Sequence, residues 1–254
     1  MDHHHSVNEA KPIVTSPNLE GASRGGGPTA QDAAPESLSL PKRLRLKLRQ
    51  IWAFAHDTQT AGPLVRDTLK IQRRPYDAIH RDGTRMRLHP GRGEFFVFYE
   101  NVVCRDYLAH GISLRPGDVV LDVGANLGSF TVVAARLVGP TGLVCAFEPN
   151  PKTFARLEEN IRLNGLTNVR CFPCAVGGEP GAFEFFAHEK SLFGSLKAGI
   201  DGRDTEGTIV TTVPVRTLAD VVAELNLDRI DLLKLDCEGS EYEIFDTMTP
   251  EQAQ

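Results

Sequence analysis

The chain has 254 residues, 41% of them hydrophobic and 24% charged, with a formal net charge of −5. That is an ordinary globular composition, long enough for one α/β domain with an appendage. The acidic balance argues against broad nucleic-acid binding, and no apolar run reaches the length of a membrane span. The N-terminus is polar where a secretory signal would be basic and then apolar, so the expected compartment is the cytoplasm.

In chain order, residues 1–37 are rich in Gly, Pro, Ser and Ala, lack aromatic residues and show no helical or strand period. They read as a disordered tail. A basic arm follows, at 38–75, in which Leu44, Leu46, Leu48 and Ile51 alternate with Lys42, Arg43, Arg45, Lys47 and Arg49. Leu44, Leu48 and Ile51 also fit one helical face, and Arg, Leu and Lys favour helix, so a short basic amphipathic helix is expected. Two roles stay open: contact with an acidic surface such as anionic lipid or a carrier partner, or a solvated arm packed on the domain behind it.

The domain itself spans 76–254. "DAIHRDGTRMRLH" reads as a hairpin turning at Asp82-Gly83, and a helix is expected from about Glu94 to Ala109, ended by Gly111. Val119 to Val123 is a buried strand, Leu127 to Val138 a helix, and "LVCAFE" a second buried strand. Asn150 caps a helix with Pro151 at its first position, and "NVRCFPC" is a third strand. Strand, helix, strand, helix, strand is the pattern of a parallel sheet with helices on both faces, an α/β fold. "AFEFFAH" and "TIVTTVPV" then read as antiparallel strands, Thr217 opens a helix, "IDLLKLD" is a fourth buried strand, and "SEYEIFDTM" begins a last helix. The five cysteines are odd in number and irregularly spaced, which suits a reducing compartment. The lone Cys171-x-x-Cys174 pair lies on a strand, where positions three apart face opposite ways, and is read as structural.

Ligands of open parallel sheets sit at the carboxyl ends of the strands, and Asp122-Val123-Gly124-Ala125-Asn126-Leu127-Gly128 is such an end. Its glycines allow close backbone approach, and the helix behind presents unpaired N–H groups. A dinucleotide fingerprint would want a third glycine, which is missing, and no tyrosine has a lysine four residues on. D-x-G-x-N-x-G followed by an acidic residue at the next strand end, here Glu148, instead suits S-adenosylmethionine. Glu148 can accept both ribose hydroxyls, while Asp122 helps hold the ammonium of the methionine end, directly or through water. The bland alternatives are that Asp122 caps the helix and Glu148 is surface. On the fourth strand Lys234, Asp236 and Glu238 alternate and project toward one side. Asp236 is the first candidate to orient or deprotonate an acceptor, with Glu238 and Glu241 next. Mg²⁺ on these oxygens is the alternative, and no further oxygen-ligand cluster supports it, so no metal is expected.

The segments "VVLDVGANLGSF", "VCAFEPNPKTFARLEENIRLNG", "CAVG" and "DLLKLDCEGSEYEIF" resemble the FkbM-type methyltransferases from about Arg115 to Phe245. The resemblance implies a Rossmann-like class I methyltransferase fold and S-adenosyl-L-methionine as cofactor. It implies O-methylation of a hydroxyl on a small molecule, a sugar or glycolipid, or a polyketide-type metabolite. Carried onto this chain, the motifs give Asp122, Gly124, Asn126, Gly128, Glu148, Pro149 and Ala175 as cofactor-binding residues and Asp236, Glu238 and Glu241 as catalytic ones. The parallel strands and hairpin expected after the fourth strand are not in the sequence, so a truncated enzyme is expected, with "IDLLKLD" as an exposed apolar edge. A non-catalytic binding remnant or interaction module is the alternative.

Overall fold

A computed structural model describes residues 14–15, 40–109, 111–188, 194–195, 208–237 and 241–246. Val14–Thr15 form a two-residue strand, β1; the rest of the tail lies outside the described residues. The basic arm is helical and longer than its alternating stretch announces: α1 runs Leu40–Asp57. Its second half supplies the anchor, because Ala53 and Phe54 are buried and the Phe54 ring meets Tyr99 edge-on at 5.8 Å. A short turn leads to α2, Ala61–Thr68, and α1 packs against it. The expected hairpin is present as β2, Tyr76–Ile79, and β3, Arg85–Leu88, paired antiparallel.

Between Glu94 and Ala109 the expected single helix is broken into three. A short α-helix α3, Glu94–Phe98, passes into a π-helical turn, Tyr99–Cys104, and then a 3₁₀ turn, Asp106–Leu108. Arg105, between the last two, has φ of 56°, a left-handed conformation that no regular helix accommodates. Apolar spacing does not encode that break.

The doubly wound part follows as read from sequence. It comprises β4 (Val119–Val123), α4 (Ser129–Val138), β5 (Leu143–Phe147), α5 (Pro151–Leu163) and β6 (Val169–Phe172). Asn150 caps α5 through its side chain, which accepts from the backbone N–H of Lys152. The insert contributes β7 (Ala175–Val176), β8 (Gly181–His188), β9 (Gly194–Ser195) and β10 (Thr208–Arg216). Then come α6 (Leu218–Leu225), opened by a Thr217–Asp220 capping box, β11 (Leu232–Leu235) and α7 (Glu241–Asp246).

The main sheet has the order β1-β11-β4-β5-β6, all parallel. The order reverses between β4 and β5 on one side and β11 on the other, which makes the carboxyl end of β4 the switch point. Strand alternation sends the side chains of the main sheet to its two faces. Val120, Val144 and Leu232 pack with Phe130, Ala134 and Val138 of α4, whereas Leu121, Val123, Cys145, Phe147, Leu233 and Leu235 pack with Leu218, Val221 and Ile244. β8 and β10 pair antiparallel in a second sheet of order β7-β10-β8-β9. The outer edge of β11, expected to be bare, meets β1 in parallel register, Val14 opposite Lys234 and Thr15 opposite Leu235. Unpaired N–H and C=O groups on such an edge accept any extended segment of suitable direction.

Candidate active site

Asp122, next to last in β4, lies on the face that α4 covers, and β11 sets Lys234 directly opposite it in parallel register. Both are buried, Asp122 at 0% exposure and Lys234 at 3%. The Lys234 ammonium donates to Asp122 Oδ1 at 2.9 Å and to the carbonyls of Val123 at 3.3 Å and Gly124 at 3.1 Å. Thr131 of α4 donates its hydroxyl to Asp122 Oδ2 at 2.5 Å. Burial alone would depress the Lys234 ammonium; the Asp122 carboxylate, with Asp236 behind it, offsets this and leaves it above the ordinary lysine range. The apolar run around Lys234 therefore hides an ion pair that ties two strand ends to the glycine turn.

That turn is held open by left-handed backbone. Gly124 has φ of 75°, Asn126 53° and Gly128 86°. A Cβ on Gly124 would stand 1.9 Å from the Asp236 carbonyl oxygen, and one on Gly128 would stand 2.6 Å from Leu157 Cδ1. Gly124 thus lets the β11 terminus close onto the turn, and Gly128 lets α5 close onto the start of α4. Asn126 tolerates its conformation because its side-chain oxygen accepts from the Leu127 N–H at 2.8 Å.

Glu148, one residue beyond β5, faces the same turn. Its Oε2 accepts from the Asn126 N–H and its Oε1 from the Asn150 N–H, each at 2.9 Å. Pro149 links it to the α5 cap and is half-buried. Burial pushes the Glu148 carboxyl up to about 7, against the lowering effect of the two backbone hydrogen bonds and of Lys234. A carboxylate offers about four lone-pair sites, so two backbone bonds leave room for a diol.

Asp236 follows β11, 29% exposed, with its Oδ2 4.0 Å from the Lys234 ammonium. Tyr107, from the 3₁₀ turn, donates its hydroxyl to that same oxygen at 2.5 Å. The Tyr107 ring also lies 5.1 Å from the Lys234 ammonium and packs edge-on against Phe130 at 5.4 Å. Burial and the adjacent Asp236 raise the Tyr107 phenol well above its ordinary range, so it stays a donor. Glu100, on the π-helical turn, is pushed up to about 7 by burial and by Asp106 and Asp236. Neighbouring Asn101 donates to the Ser129 hydroxyl at the start of α4, at 2.8 Å.

Asp122, Gly124, Asn126, Gly128, Glu148, Pro149 and Asp236 thus gather around one switch point. Ala175 instead stands in the second sheet, buried with Phe185, Val213 and Val215. Glu238 lies outside the described residues; Glu241 begins α7, its side chain outside the description. Tyr107, Thr131 and Glu100 carry no signal in the sequence. Tyr107 reaches Asp236 across 129 residues from a segment whose pattern reads as plain helix.

A glycine turn facing a buried acidic strand end, at the switch point of a parallel sheet, defines a nucleoside-binding α/β enzyme of the Rossmann-like class. Comparison with known proteins narrows the class. The methyltransferase FkbM domain family matches residues 122–254, more than half of the chain, and the chain belongs to that family of S-adenosylmethionine-dependent methyltransferases. It is 36% identical over 183 residues to the 31-O-demethyl-FK506 methyltransferase FkbM of Streptomyces tacrolimicus, covering 61% of this chain and 69% of that one. It is 31% identical over 143 residues to the 2-O-methyltransferase NoeI of Sinorhizobium fredii (51% and 57% covered). It is 29% identical over 143 residues to Methyltransferase 1 of Beauveria bassiana (49% and 56% covered). The chain therefore spans little more than half the length of the last two. Among solved structures, Methyltransferase FkbM from Methylobacillus flagellatus aligns over 80% of this chain and 44% of its own, at 16% identity and a TM-score of 0.38.

The residues fit S-adenosylmethionine on the structure's own terms. Glu148 is a buried carboxylate whose direct partners are neutral N–H donors, which leaves it suited to hydroxyl donors. The left-handed turn from Gly124 to Gly128 keeps side-chain bulk out of the approach to the strand ends. Among the described residues, no helix is long and apolar enough to cross a membrane.

Proposed function

We propose that this protein transfers the methyl group of S-adenosylmethionine to a hydroxyl of a small molecule, a sugar or glycolipid, or a polyketide-type metabolite. The observation that carries the reading is the convergence of Glu148, the Gly124 turn and the Tyr107–Asp236 pair on one strand-end cluster. Two similar proteins whose names specify O-methylation, of 31-O-demethyl-FK506 and at a 2-O position, support a hydroxyl acceptor. The basic arm, residues 38–75, is read as an appendage to the methyltransferase domain of residues 76–254, packed through α1 on the Tyr99–Cys104 turn.

The cofactor supplies an electrophilic methyl group on a sulfonium. Glu148 would accept hydrogen bonds from the ribose diol and so fix the nucleoside end. The backbone of Gly124 to Gly128 would cradle the remainder, with the Asn126 N–H already anchored on Glu148. Asp122 acts through Lys234, which holds the carbonyls of the turn in place. Asp236 would orient the acceptor hydroxyl and take its proton, while the methyl carbon exchanges its bond to sulfur for one to that oxygen and S-adenosylhomocysteine is left, with Glu238 and Glu241 as further carboxylates on the same segment. Positioning is the larger contribution, up to about 7–11 kcal/mol, and the base adds about 10²–10⁴-fold.

Calorimetric titration of S-adenosylhomocysteine tests the cofactor site first. Saturable binding to the parent protein that Glu148→Ala abolishes is the expected result. A folded protein that does not bind would overturn the enzyme reading in favour of a non-catalytic module. With binding in hand, methyl transfer from labelled cofactor to sugar and polyketide hydroxyls is expected to fall about 10²–10⁴-fold in Asp236→Asn while S-adenosylhomocysteine affinity is kept.

A further inference from the structure

The arm carries a surface that the proposed chemistry does not use. On α1, Leu44, Leu48 and Trp52 are 55%, 57% and 65% exposed. They recur every four residues, so they line one stripe about 12 Å long. Arg45 and Arg49 flank that stripe on one side and Lys47 on the other, all exposed, with Lys42 a turn away. The opposite face, through Gln50, Ala53 and Phe54, is the one that packs on the domain.

A second exposed apolar pair, Leu69 at 48% and Ile71 at 57%, follows α2. It is interleaved with exposed Lys70, Arg73 and Arg74. α2 packs against α1, so this loop belongs to the same helical pair. From Lys42 to Arg74 the sequence holds nine Lys and Arg against two Asp, in a chain whose formal net charge is −5. One of those two aspartates, Asp67, is buried and accepts from the Tyr76 hydroxyl. The charge asymmetry is therefore concentrated on the surface that also exposes the large apolar side chains.

We propose that α1 and the loop at 69–74 form a docking surface for an anionic lipid bilayer. Leu44, Leu48 and Trp52 enter the headgroup boundary, and the surrounding Lys and Arg side chains meet lipid phosphates. Exposed apolar residues between cations suit an interface with an apolar interior beneath a layer of negative charge. A nucleic acid would use the cations and leave the leucines in water, and a purely apolar partner would leave the cations unmatched. α1 packs on the π-helical turn Tyr99–Cys104, which leads on to Tyr107, so the docked face lies beside that segment.

Trp52 is the only tryptophan in the chain, which makes its fluorescence a reporter of this surface alone. The full chain is mixed with vesicles of phosphatidylcholine and with vesicles of equal parts phosphatidylcholine and phosphatidylglycerol, and emission and co-sedimentation are recorded. A blue shift on the anionic vesicles, with at least about tenfold weaker binding to the zwitterionic ones and reversal by salt, is the expected result. Leu48→Glu and the pair Lys47→Glu with Arg49→Glu are expected to abolish the shift with unchanged far-ultraviolet circular dichroism and unchanged S-adenosylhomocysteine binding. Unshifted emission on every vesicle overturns the proposal, as does binding that Leu48→Glu leaves intact. Shielding of Trp52 from acrylamide before vesicles are added also overturns it, assigning the stripe to a second copy if the protein sediments as a dimer and to its own chain if it sediments as a monomer.

Discussion

Lys234 shows how one side chain organises the strand ends. Its ammonium joins Asp122 to the carbonyls of Val123 and Gly124, and both charges of the pair are buried. Lys234→Met leaves Asp122 without its cation and is expected to cost about 3–5 kcal/mol in urea unfolding. Adding Asp122→Asn is expected to recover part of that loss, because the uncompensated charge goes with it. At Tyr107 the consequence belongs to the proposed mechanism: Tyr107→Phe removes the donor to Asp236 Oδ2. It is expected to lower turnover while S-adenosylhomocysteine affinity stays, a split that a folding defect would not produce. In the proposed site Glu148 binds diol hydroxyls better when ionised, and its carboxyl is held near 7 by burial. Affinity for S-adenosylhomocysteine is therefore expected to tighten as pH rises through about 7, and Glu148→Gln is expected to flatten that dependence.

The turn after β4 works because two glycines and an asparagine hold left-handed backbone in five residues. Gly124→Ala places a methyl group against the Asp236 carbonyl oxygen and forces an alanine to a positive φ. A loss of at least about 2 kcal/mol is expected, read by chemical denaturation, together with weakened cofactor binding because the β11 terminus must move. At the opposite extreme, the segment from Glu94 to Leu108 owes its shape to tertiary contacts. Its hydrophobic spacing describes one helix, yet Arg105 is left-handed, and the break swings Tyr107 toward Asp236. The basic arm shows the same dependence. Its pattern suits a short helix, and the extension to Asp57 follows from Phe54 finding Tyr99 and the core.

For the molecule as a whole, the switch point carries two carboxyls, Glu100 and Glu148, raised to about 7 mainly by burial. The unfolded chain titrates both near 4.5, so between about 4.5 and 7 the folded state holds more protons. Their contribution to stability is fully present below 4.5 and is lost as pH rises through about 7. Thermal melts of the ligand-free protein are expected to show this part of the stability falling over that window. S-adenosylhomocysteine is expected to offset it most at the upper end, where ionised Glu148 binds best. A ligand effect equal at both ends of the window would separate Glu148 from the cofactor.

Much of this protein is local in origin. Buried strands announce themselves by unbroken apolar runs, helices by their caps at Asn150 and Thr217, and the turn after β4 by glycine spacing with an acid at the next strand end. Those features arise within a few residues of one another, so the sequence alone determined the α/β class, the run of buried parallel strands and the places of Asp122, Gly124, Asn126, Gly128 and Glu148. The tertiary structure decided what those groups face. It turned Asp122 inward onto Lys234 and Thr131, gave Asp236 a tyrosine from 129 residues away, and put Ala175 in a second sheet. It also left Leu44, Leu48 and Trp52 on the outer face of α1. Such pairings depend on which strand lies beside which and on where a helix breaks, and neither is written in the spacing of neighbouring residues.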